Sequence, residues 1–198
     1  VASCVTRLVT GDADFWDSGR VVSGQSVQVG YEGRVLRSRE RCWWWVTVWD
    51  KDGTPVKSEP AFWEMGLLEE TDWCSAWVGI VLPADEERPG AGRYLRTGFT
   101  LAKPVRQARL YATALGVYEA YLNGQRVGDH VLAPGWTDYR IRTMVQTYDV
   151  TALLAQGDNA LGALLGDGWF CGHVGLAGRE CYGSPRPAFL AQLMIEYM

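Results

Sequence analysis

Trp136, Asp138, Tyr139 and Arg140 stand close together in the chain, and Trp169, Phe170, His173, Arg179 and Tyr182 follow in a second, Gly-rich stretch. Indole and phenol rings stack on the apolar face of a pyranose, while planar polar side chains bond its hydroxyls. Trp136, Asp138, Tyr139, Asp167, Trp169 and Arg179 therefore form the candidate carbohydrate-binding set. Glycines within residues 166–178 would let backbone approach a ligand closely. The competing reading is structural: Trp136 and Trp169 close a sandwich or pack against a further domain. That second reading is the preferred one.

Paired carboxylates could do different chemistry. An inverting glycosidase needs two of them about 6.5–9.5 Å apart, one as acid and one to activate water. Asp129, Asp138 and Asp167 are the candidates in aromatic surroundings. Asp129 follows Gly128, and Asp167 lies between Gly166 and Gly168. Both are expected to serve turns and caps, so no catalytic residue is assigned. His130 and His173 share no ligand spacing with a third His or Cys. Cys4, Cys42, Cys74, Cys171 and Cys181 are widely spaced and form no C-x-x-C pair, which argues against zinc and against a redox motif. An odd count excludes complete pairing within the chain, and the thiols read as small buried hydrophobes. This leans towards a reducing cytoplasm, with secretion as the alternative. The Gly-rich stretch does not open a helix, so a phosphate cradle is unsupported.

Composition bounds the elements that must position these residues. The chain has 198 residues, 47% of them hydrophobic and 21% charged, and a net charge of −4. That balance argues against nucleic acid and against an anionic membrane surface. No apolar run approaches the roughly 18 residues of a membrane span, and no signal-peptide pattern opens the chain. With 10 Trp, 9 Tyr and 23 Gly, and without long amphipathic helices, an all-β protein is expected. Strands are read at residues 1–10, 26–29, 42–50 and 61–65. The second half adds 94–101, 105–115, 117–122, 125–127, 143–150, 160–165 and 188–197. Both faces of 42–50 are bulky, so it is expected to be central in its sheet. Asn123-Gly124 between apolar alternation predicts a type I′ hairpin. Thr71 and Thr151 are read as caps of single helical turns. Residues 67–92 read as a linker.

Three stretches make the chain look familiar. They are Leu122-Asn123-Gly124-Gln125-Arg126-Val127-Gly128-Asp129, Val131-Leu132-Ala133-Pro134-Gly135-Trp136-Thr137-Asp138-Tyr139, and Gly166-Asp167-Gly168-Trp169. In this order they resemble the galactose-binding-like jelly roll in the N-terminal region of bacterial α-L-rhamnosidases. Trp43-Trp44-Trp45-Val46-Thr47-Val48-Trp49-Asp50 and Ser58-Glu59-Pro60-Ala61-Phe62-Trp63-Glu64 resemble the fibronectin type III-like module that precedes it. The resemblance implies two tandem β-sandwiches: residues 1–66 fibronectin-like and lacking their first strands, 67–92 a linker, 93–198 a jelly roll. It implies a parent enzyme that hydrolyses terminal α-L-rhamnosides with inversion, its catalytic carboxylates on an (α/α)6 barrel that this chain does not resemble. The chain alone is expected to be inactive: a non-catalytic accessory region whose partner is the catalytic domain of the same enzyme. An independent module binding L-rhamnose or rhamnosides is the alternative, and a ligand-free structural or protein-interaction sandwich is the other. No cofactor is expected. Calcium enters only because some relatives carry a calcium-using rhamnose-binding module, whose ligands find no match here. Strands missing from the first module would leave a bare edge, through which a dimer could form.

Overall fold

The computed structural model describes residues 2–6, 14–25, 27–80, 90–176, 178–179, 182 and 186–198. They form two compact units, Val1–Trp73 and Cys74–Met198.

In the first unit, β1 (Ala2–Thr6), β2 (Trp16–Asp17), β3 (Arg41–Trp49), β4 (Pro55–Lys57) and β5 (Ala61–Glu64) make one antiparallel sheet. β3 is central: it pairs with β1 on one side and with β4 and β5 on the other. Its two bulky faces explain this, since only a central strand can bury or half-bury rings on both. Among the described residues the layer facing the sheet is coil rather than a second ladder. Phe15 and Cys42 are buried there, with Trp16, Tyr31, Leu36 and Trp63 packed around them. Tyr31 stands edge-on to Trp16 at 5.6 Å and to Trp63 at 6.4 Å. Burial pushes the Cys42 thiol up to about 11, which leaves it protonated and inert. β1 is paired on its outer side by β2 only at Cys4 and Val5.

Three local expectations need correction. The described residues of 26–29 form no strand, because Val27 and Val29 are exposed and have no apolar face to cover. Thr71 is not a cap: the 3₁₀ turn is Glu70–Asp72, and Asp72 reaches back to accept from the Glu69 N–H at 2.9 Å. Thr151 is not a cap either: it lies inside the 3₁₀ turn Thr151–Leu153, whose cap position is Val150. The stretch read as a linker contains fixed points as well. Asp72 bonds Ser38, and Val78 exchanges backbone hydrogen bonds with Phe189 at 2.8 and 2.7 Å. Residues 81–89 lie outside the described residues.

The second unit contains β6 (Arg93–Leu101), β7 (Val105–Leu115), β8 (Val117–Leu122), β9 (Gln125–Arg126), β10 (Gln146–Asp149), β11 (Gly157–Gly166) and β12 (Ala188–Tyr197). They form two antiparallel sheets, ordered β10-β7-β12 and β6-β11-β8-β9. The inner faces supply the core: Leu110, Ala112 and Ala114 from β7, Tyr118, Ala120 and Leu122 from β8, Leu165 from β11, and Phe189 from β12. Strict alternation of buried and half-buried residues along β8 places these side chains on one face. Asn123 and Gly124 take φ values of +53° and +82°, as the hairpin turn requires.

The core holds one polar knot. The Tyr118 hydroxyl lies 3.0 Å from Gln146 Oε1, 3.1 Å from the Tyr148 hydroxyl and 3.2 Å from the Ala112 carbonyl. Burial pushes the Tyr118 phenol far above its ordinary value and raises that of Tyr148. The folded state therefore keeps protons that the unfolded chain releases near pH 10. This contribution is complete below about pH 10 and is lost as pH rises beyond it. Urea midpoints are expected to fall between about pH 9 and pH 11, less steeply in Tyr118→Phe. Parallel slopes for the two proteins would show that Tyr118 does not carry the effect.

Candidate functional site: an aromatic loop cluster

Registers place the C-terminal ends of β7 and β11 and the N-terminal ends of β8, β10 and β12 at one end of the sandwich. The two loops rich in candidate residues emerge there: 127–145 between β9 and β10, and 167–187 between β11 and β12. Gly166 O lies where a Cβ on Gly116 would stand, at 2.5 Å, so the β7–β8 turn sits directly under the start of the second loop. That loop opens with a single helical turn, α1 (Gly168–Cys171), which buries Phe170 and Cys171.

The rings of the two loops meet. Trp136 and Trp169 are parallel, with centroids 5.9 Å apart and planes within 5°. Tyr139 stands edge-on to Phe170 at 5.4 Å and to Tyr182 at 5.0 Å, and Phe170 lies parallel to Tyr182 at 6.2 Å. Trp136 remains 55% exposed. Trp136 and Tyr139 from the first loop and Trp169 from the second thus share one cluster, a meeting of the two loops that the sequence did not indicate. Phe170 and Tyr182 also belong to it.

The polar groups beside these rings are already engaged. Trp136 Nε1 donates to the Tyr182 hydroxyl at 3.1 Å, and the Tyr139 hydroxyl donates to Gly135 O at 3.0 Å. Burial pushes the Tyr139 phenol up to about 12. Arg140 grips both oxygens of Asp138 at 2.9 Å and thereby holds that carboxyl below the usual range.

Asp167 behaves differently from the sequence expectation. It occupies the cap position of α1, yet its side chain makes no capping bond. Instead its carboxylate pairs with Arg179 and accepts from the Gly90 N–H at 2.8 Å. A short return loop, with His173 bridged to Arg179 and Val174 N bonded to Gly178 O at 3.2 Å, brings Arg179 back to Asp167. Asp167 Oδ1 and Arg179 Nε are buried without a partner. Gly90 is a partner that sequence reasoning missed, and no local signal marks a pairing so distant in the chain.

Asp138 and Asp167 are each engaged by an arginine, and the exposed Asp129 meets only His130 Nδ1, at 3.9 Å. None is placed as a free acid or base in a cleft. Among the described residues no group of three or more His, Cys, Asp or Glu could hold a metal ion. A cleft of about 450 Å³ opens elsewhere in this unit, lined by Val78, Leu95, Thr97, Leu161 and Phe189 among others, but it is largely apolar.

Fold and loop cluster define a class: a two-module all-β protein whose second module carries an aromatic cluster on its loops. Residues 103–198 match the family described as "Alpha-L-rhamnosidase N-terminal domain". Residues 3–69 match "Rha78A-like, N-terminal immunoglobulin domain", an immunoglobulin designation where the sequence pattern resembles fibronectin type III. An alpha-L-rhamnosidase from Alteromonas sp. (strain LOR) is 40% identical over the whole chain, which spans 22% of that relative. The solved alpha-L-rhamnosidase from Dictyoglumus thermophilum superposes with a TM-score of 0.84 at 30% identity, over 99% of this chain and 23% of that one. The Aspergillus terreus enzyme gives 0.83 at 37% identity, over 98% and 22%. The chain belongs to the N-terminal region of the alpha-L-rhamnosidase family.

Proposed function

We propose that the chain is the non-catalytic N-terminal region of a glycoside hydrolase acting on terminal α-L-rhamnosides, and that it braces a catalytic domain carried elsewhere in the same polypeptide. One observation carries this reading. Val131, Leu132, Trp136, Ile141, Met144 and Val145 are all exposed within a single loop. Clustered exposed apolar side chains of this size mark an interaction face, and Trp and Met are favoured at such interfaces. The engaged state of the neighbouring polar groups supports packing over sugar recognition, because a sugar site needs free donors and acceptors beside its rings. The unpaired thiols of Cys42 and Cys74 support a reducing cytoplasm.

The purified chain is expected to leave an aryl α-L-rhamnoside uncleaved. Turnover abolished by Asp167→Ala would overturn the accessory reading. In the full-length protein, Trp136 is expected to be shielded from acrylamide quenching, whereas in the isolated chain it is accessible. Equal quenching in both would remove the docking face.

Carbohydrate binding is the second reading, favoured by the exposed face of Trp136 stacked on Trp169. Calorimetric titration with L-rhamnose, with and without calcium, decides it. Heat under either condition supports a sugar site, and none under both discards it.

A further inference from the structure

Asn123 and Asn159 are the only asparagines of the chain, and they bond each other. Asn123 precedes Gly124 at the tip of the β8–β9 turn. A glycine nitrogen carries no neighbouring side chain to shield it, so Asn-Gly is the dipeptide most prone to attack by backbone on side chain. Gly124 N bonds to Asn123 Cγ, the Cγ–Nδ2 bond breaks, and ammonia leaves a five-membered succinimide. Water then opens that ring at either carbonyl, giving aspartate or isoaspartate.

The folded chain holds the reacting amide on every side. Asn123 Nδ2 donates to Leu153 O and to Asn159 Oδ1, both at 2.8 Å. Asn123 Oδ1 accepts from the Ala160 N–H at 2.8 Å. Asn159, only 5% exposed, is itself anchored. Its Nδ2 donates to Ala155 O and Gly157 O at 2.8 Å, and its Oδ1 accepts from Ala155 N at 3.0 Å. Pyramidalising Cγ and releasing Nδ2 as ammonia requires these bonds to Asn123 to break.

We propose that Asn123 is a latent deamidation site that Asn159 holds shut. Opening of this corner, rather than exposure of the turn, sets the rate of modification. The product cannot close the corner again. A carboxylate is acceptor-only, so it would meet Leu153 O and Asn159 Oδ1 with no proton to share. Isoaspartate also lengthens the turn backbone by one atom and shifts the β8–β9 pairing. A single opening event is thus recorded covalently.

The test follows the mass of the peptide containing Asn123 in mildly alkaline buffer. Three hydrogen bonds of ordinary net strength multiply to about 100-fold, so conversion in the folded protein is expected about 100-fold slower than in guanidinium. Asn159→Ala, still folded by circular dichroism, is expected to convert about tenfold faster than the parent protein. If that variant does not fold, a guanidinium series below the unfolding midpoint replaces it. Conversion should then rise in step with amide exchange at Ala160. Equal rates in folded and unfolded protein would overturn the proposal. So would a folded Asn159→Ala with unchanged rate, or conversion that ignores the Ala160 opening.

Discussion

Gly168→Ala is expected to cost about 2–5 kcal/mol of folding stability, and to do so where the candidate loop is launched. Gly168 sits at φ +53°, in the left-handed region, where a side chain alone costs about 1–2 kcal/mol. A Cβ there would also stand 2.8 Å from Val117 Cγ1, 2.9 Å from Gly116 C and 3.0 Å from Val117 N. Two of those three atoms are backbone of the β7–β8 turn, so the chain itself must shift, which adds about 1–3 kcal/mol. Gly175 provides the control. It has nearly the same φ, +54°, but open space around its Cβ position. Gly175→Ala should therefore show the conformational cost alone, about 1–2 kcal/mol. The difference between the two urea midpoints measures the close approach that seats Asp167 and Trp169 above the turn. Equal losses would mean that β8 and the loop start are not in the contact described.

The contrast between these glycines also marks what was legible beforehand. β7, β8 and β12 could be read to the residue: β8 alternates buried and half-buried positions, so the period of two survives in its sequence, while β7 and β12 read as apolar runs because they bury adjacent residues, Leu110 to Ala114 and Phe189-Leu190. The central position of β3 could be read from the bulk on both of its faces. Residues 27–29 mislead because valine favours extended backbone anywhere, whereas a strand also needs a partner and a face to bury. In the site, Trp136 and Trp169 could be selected as loop rings in polar company. Their stacking on each other could not, since it depends on two loops that meet only after both sheets have formed. The carboxylates were the least legible. Asp138 stays local and pairs two residues away with Arg140, as turn chemistry suggests. Asp167, also read as a turn residue, reaches Arg179 and the distant Gly90 N–H instead. Sequence spacing reports local bonds and says little about such closures.

That Asp167–Arg179 pair yields the second large effect and separates the two functional readings. Arg179→Met is expected to cost about 2–4 kcal/mol, because it strands a carboxylate that is only 8% exposed. The figure lies below that of a fully buried pair because the Arg179 side chain keeps 29% exposure. Asp167→Asn should cost less, since an amide still accepts from Gly90 N–H and the charge left unpaired, on Arg179, keeps 29% exposure where the carboxylate has only 8%. In the double variant much of the Arg179→Met loss should disappear, giving a coupling of about 1–3 kcal/mol in a double-mutant cycle. A pair with this signature is a latch that fixes the return loop, and with it Trp169, against the sandwich. A sugar-recognition pair would behave in the opposite way. Its single variants would keep the parent's urea midpoint and lose heat on titration with L-rhamnose, because the groups would then be spent on ligand rather than on fold. Two buried unpaired atoms, Asp167 Oδ1 and Arg179 Nε, belong to the same latch, and their burial puts them out of a sugar's reach. The physical expectation is therefore loss of stability with coupling. A stable Arg179→Met that no longer binds rhamnose would move the cluster from bracing surface to binding site.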